Sequence, residues 1–125
     1  MSQFFRLIKT SRGSQSAVRT AFANIAASST DGDLSIPGVS GKRVVLLACA
    51  FVAGGTATNA TFNSKPSGSG GSAITCLFAN AANGGAVLPF NPHGWALTKT
   101  GEGLTLTTGA GSTTGVQVQY AYVDP

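Results

Sequence analysis

KRVVLLACAFV, residues 42–52, decides the fold. The apolar run that begins at Val44 continues through Ala53, ten residues against about 20 for a helix that crosses a bilayer, so it reads as a buried strand. It does not alternate, because every residue from 44 to 52 is apolar. In an antiparallel sheet such a strand needs cover on both faces, and a second subunit or the N-terminal arm would supply the outer one.

Outward from this run, short stretches rich in β-branched, aromatic and threonine residues alternate with turn residues. Strands are expected at residues 4–10, 17–26, 34–36, 42–52, 56–63, 73–79, 86–90, 104–107 and 116–123. Gly54-Gly55, residues 66–71, Asn83-Gly84-Gly85 and residues 109–115 supply the connections, where glycine provides positive φ. The closing strand alternates cleanly, with Val116, Val118, Tyr120 and Tyr122 on one face and Gln117, Gln119 and Ala121 on the other. Residues 17–27 (AVRTAFANIAA) fit either period, since Val18, Phe22 and Ile25 have helical spacing, but the flanks lack caps and the segment is taken as extended. The pattern is that of an all-β antiparallel sandwich or barrel.

Charge divides the chain. Asp, Glu, Lys and Arg make up 10% of its 125 residues, against about 25% in ordinary domains, which suits a surface covered by neighbours. Arg6, Lys9, Arg12 and Arg19 stand before the first acid, Asp31, so the formal charge of +4 belongs to the front of the chain. We therefore expect a basic, apolar N-terminal arm over residues 1–30 and a β-sandwich domain over residues 31–125. Phe4, Phe5, Arg6, Leu7, Lys9, Arg12 and Arg19 are the candidate contact residues. The arm either lies across another subunit or folds back as an edge strand of its own sheet. Arg6 and Lys9 interrupt its apolar residues, so it is not read as a secretory signal. Cys49 and Cys76 lie in apolar runs and are expected as buried free thiols.

Catalytic chemistry is sparse. His93, the one histidine, sits in the turn-like Asn91-Pro92-His93-Gly94-Trp95 with no cysteine or carboxylate within five residues. Ser67, Ser69 and Ser72 belong to a Pro/Gly/Ser loop, which also lacks the Lys-Ser/Thr of a phosphate-binding loop. Asp31-Gly32-Asp33 begins like a calcium loop, yet its further acidic ligands do not follow. The tyrosines neighbour glutamine rather than the interleaved cations of a nucleic-acid surface. The chain is thus expected to be a binding or assembly protein rather than an enzyme, without metal, cofactor, membrane or nucleic-acid partner.

The order Asn83-Gly84-Gly85, Val87-Leu88-Pro89, Asn91-Pro92-His93-Gly94-Trp95, Gly101-Glu102-Gly103-Leu104-Thr105-Leu106 and Gly115-Val116-Gln117-Val118-Gln119-Tyr120 resembles the small β-rich structural proteins of tailed bacteriophages. Among them it is most similar to capsid cement, or decoration, proteins, over residues 42–123. The resemblance implies a jelly-roll sandwich forming a homotrimer on local three-fold positions of the shell. It implies the major capsid protein as partner, the outer surface of the virion as location and the host cytoplasm as the place of assembly. The alternative that it carries is a tail or head-fibre component binding a receptor or glycan, with Trp95, Tyr120 and Tyr122 as its aromatic platform.

Overall fold

The computed structural model describes residues 7–9, 15–30, 34, 36–66 and 71–125. They form eleven strands: β1 (Leu7–Lys9), β2 (Gln15–Ala17), β3 (Arg19–Ile25), β4 (Arg43–Ala53), β5 (Thr58–Lys65), β6 (Ser72–Ala73), β7 (Phe78–Asn80), β8 (Gly85–Leu88), β9 (Ala96–Leu97), β10 (Gly103–Thr108) and β11 (Thr114–Val123). No helix occurs among the described residues. All strand pairs are antiparallel.

Two sheets make the body. One has the order β3-β11-β4-β8, with β9 also on β4, and the other β10-β5-β6, with β7 also on β5. Leu46, Phe51, Val116 and Val118 of the first sheet meet Ala60, Phe62, Leu104 and Leu106 of the second in one buried cluster, so the sheets stack as a sandwich. Burying the alternate apolar side chains of both inner faces is what holds the layers together.

The unbroken apolar run of β4 has a local cause. Its pairing with β11 goes from Ala48↔Gln119 to Leu46↔Tyr120, a bulge that leaves Leu47 without a partner opposite. One extra residue reverses the parity of the strand. Val44 and Leu46 point into the sandwich before the bulge, and Cys49 and Phe51 do so after it. Val45 and Leu47 face outward into a second small cluster with Ala121 and Val123, against which Val18 and Leu97 pack. The expected cover on both faces holds only along this first half: beyond the bulge Ala50 and Val52 are exposed.

Several local expectations are met and others corrected. Residues 19–25 are extended, and Val116, Val118, Tyr120 and Tyr122 share the core side of β11. The strand expected at 73–79 is instead two short ones, β6 and β7, which both pair with β5 on either side of a loop. That loop carries Leu77, 61% exposed, and Cys76, so the expectation of two buried thiols is wrong for Cys76 and right for Cys49. β1 pairs with β2, and β9 was not foreseen. β3 lies inside the stretch read as arm, yet it is a strand of the five-stranded sheet with Ile25 fully buried.

Two buried hydroxyls, those of Thr98 and Ser64, bind the turn that follows β9. Thr98, fully buried, accepts from the Val44 amide at 2.8 Å and donates to the Glu102 carbonyl at 3.1 Å. Ser64 donates to Glu102 Oε1 at 2.6 Å and accepts from the Lys99 amide at 2.9 Å. These bonds fix the 98–102 turn beneath β4 and β5, since each would leave a buried donor or acceptor unmatched if broken.

Candidate apolar docking groove

The half of the five-stranded sheet left open beyond the β4 bulge forms a groove of about 620 Å³. Its geometry follows from register. One rung across the sheet reads Phe22, Gln117, Ala50, Val87, and the next reads Asn24, Gly115, Val52, Gly85. Phe22 and Val87 stand up as walls on the outer strands, 79% and 71% exposed, while Ala50, Gly115 and Gly85 keep the floor low. None of the lining side chains is charged, and its polar side chains are Asn24 and Gln117. The groove therefore offers contact area and two amides but no acid, base or nucleophile. Contiguous exposed apolar surface of this kind marks interaction sites on soluble proteins.

Of the residues expected to make contacts, Phe4, Phe5, Arg6 and Arg12 lie outside the described residues. Leu7 and Lys9 belong to β1, opposite Ala17 and Gln15. Arg19 is exposed at the start of β3, where its guanidinium lies 5.5 Å from the Tyr122 ring centroid. Phe22, the tallest wall of the groove, was not among the expected contacts. The signal was present, for Thr20, Phe22 and Asn24 share one face of a strand, and a lone aromatic on an otherwise polar face has no core to join.

The aromatic platform is dispersed. Tyr120 and Tyr122 meet edge to face at 5.8 Å, both packed against the main core, and the Tyr122 hydroxyl donates to the Pro37 carbonyl at 2.7 Å. Burial pushes the Tyr122 phenol above its ordinary range, Tyr120 adds to this and Arg19 opposes it. Trp95 is 43% exposed and its indole N–H donates to the Pro89 carbonyl at 2.7 Å, within its own loop. None of the three lines the groove. His93 is exposed in the 91–94 turn, its amide donating to Asn91 Oδ1 at 2.9 Å. Among the described residues no three His, Cys, Asp or Glu side chains gather as a metal site.

No protein-family model and no curated protein matches the chain.

The two thiols differ in a way that checks the wall β4–β8. Burial raises Cys49 from 9.0 to about 11, with a backbone hydrogen bond to Leu88 acting in the opposite direction. Since the thiolate is the reactive species, a thiol reagent near neutral pH is expected to modify Cys76 and to reach Cys49 only on unfolding. Mass spectrometry after timed labelling reads this directly, and equal rates would mean that β8 does not stay on β4. The folded protein holds the Cys49 proton more tightly than the unfolded chain, so stability falls as pH rises from 9 towards 11.

Proposed function

We propose that the protein is a structural component of a larger protein assembly, and that the groove between Phe22 and Val87 is a surface by which it holds its neighbours. The observation that carries this is the uncharged, mostly apolar floor flanked by two large exposed side chains, on a chain whose charged content is only 10%. On the resemblance given above, the assembly is a tailed-bacteriophage virion and the protein a capsid cement protein bound to the major capsid protein on the outside of the shell. Many modest contacts repeated by symmetry suffice for that task. Phe4, Phe5, Arg6, Leu7, Lys9, Arg12 and Arg19 would add contacts from the N-terminal side, their cations improving encounter with an acidic shell surface more than final affinity.

Co-sedimentation with empty shells tests the reading. The wild-type chain is expected to pellet with shells, less so as salt rises, and Phe22→Asp with Val87→Asp is expected to weaken binding by about tenfold or more. Both side chains are mostly exposed, so the fold should survive. A chain that ignores shells would overturn the cement reading, and unchanged binding by the double variant would move the contact away from the groove.

A further inference from the structure

The open edge of β3 carries the strongest unassigned signal in the molecule. Among the described residues β3 pairs with β11 alone, and its other edge has no backbone partner. It is a regular seven-residue strand without a register shift, and its first six residues are exposed or partly exposed, ahead of the fully buried Ile25. Proteins normally blunt such an edge with lysine, proline, a bulge or brevity. The sequence Arg-Thr-Ala-Phe-Ala-Asn-Ile has no lysine, proline or bulge, and its one charge, Arg19, stands at its first residue. The other edges are blunted: β8 has four residues and ends before Pro89, β6, β7 and β9 have two or three, and β10 is capped by the Ile36 bridge to Leu104.

We propose that β3 pairs antiparallel with β3 of a second copy of this chain, about a two-fold axis at Phe22, joining the two five-stranded sheets into one. The strand is complementary to itself in that register. Phe22 meets Phe22, an aromatic cross-strand pair that covers the most exposed large apolar side chain described. Ala21 meets Ala23, small against small, and Thr20 meets Asn24, which can share a hydrogen bond. Arg19, the only charge in the strand, falls opposite Ile25 and not opposite its own copy. Such an edge suits an isologous contact, because the residue on the two-fold axis, which alone meets its own copy, is the uncharged Phe22. The two grooves would then lie side by side with the Phe22 pair as their shared wall.

This extends the assembly reading, and it is tested without a shell, so either can fail alone. Light scattering on the full chain should give twice the mass of 12.5 kDa. Thr20→Lys with Asn24→Lys sets lysine against lysine at two rungs and should weaken the dimer by about tenfold or more, whereas Thr20→Lys with Asn24→Glu sets lysine against glutamate and should restore it. Both positions are exposed, and circular dichroism checks that each variant is folded. A mass of one copy overturns the proposal. So does a mass of three, since a closed trimer needs head-to-tail contacts, and so does a dimer indifferent to the double lysine variant.

Discussion

Phe62→Ala is expected to lower the stability of the fold by about 3–5 kcal/mol, the range for removing a buried phenylalanine ring. Phe62 is fully buried in the middle of β5, opposite Leu106 of β10, and it faces the other sheet. Phe51 of β4 meets it edge-on at 6.3 Å, and Phe78 of β7 meets Phe51 at 5.0 Å, so three rings from both sheets form one contact chain. The backbone around Phe62 cannot close over the loss. Its amide donates to Thr75 Oγ1 at 3.1 Å, its carbonyl accepts from the Ile74 amide at 2.9 Å, and β10 holds the other edge of β5. A hole left between two sheets fixed by their own ladders stays a hole. Against a total of about 5–15 kcal/mol for a typical domain this is a large fraction. Urea unfolding should show a lower midpoint at unchanged slope. A loss below about 1 kcal/mol would mean that the sheets are not clamped at this ring.

How legible this arrangement was in the sequence depends on which residues carry it. The β class, the end strand and the burial of residues 44–47 follow from side-chain type and period, because those reflect one residue and its near neighbours. The groove does not, because it is made by pairing. Ala50 and Val52 become outward residues only because β4 places one extra residue, Leu47, opposite the Gln119–Tyr120 step. Without the partner strand the run from 44 to 52 has no visible change of face. The same limit explains residues 73–79, where an apolar composition suggested one strand: β5 accepts only Ser72–Ala73 and Phe78–Asn80, and Cys76 and Leu77 are left outside. Phe22 was visible as an aromatic at helical spacing from Val18 and Ile25, but its exposure follows from β11 lying beside it in an extended register. Of the cationic candidates, Arg19 alone has a described side-chain contact, over Tyr122.

Gly85→Ala is the sharper test of that place. A β-carbon at residue 85 would collide with the Phe51 carbonyl oxygen and would stand 2.7 Å from both the Phe51 carbonyl carbon and Val52 Cα. All three are backbone atoms of β4, so no side chain can swing aside. Nor can β8 slide, since the Ala53 amide donates to the Gly84 carbonyl at 2.8 Å and the Asn83 amide to the Gly54 carbonyl at 2.7 Å. The strand must lift from β4 or the turn must distort, and a cost of about 3 kcal/mol is expected, at the upper end for an overpacked site. Gly55→Ala is the natural control, because a β-carbon there meets nothing within 4 Å and should change stability by no more than about 0.5 kcal/mol. The two alanines also separate fold from function. Lifting β8 carries Val87 off the groove and exposes Cys49, so Gly85→Ala should weaken docking and speed Cys49 labelling together, whereas Gly55→Ala should do neither. If Gly85→Ala proves as stable as its control, β8 does not lie against Phe51 and the groove has lost a wall. If it is unstable yet docks normally, Val87 is no part of the contact and the search narrows to Phe22 and the β3 edge.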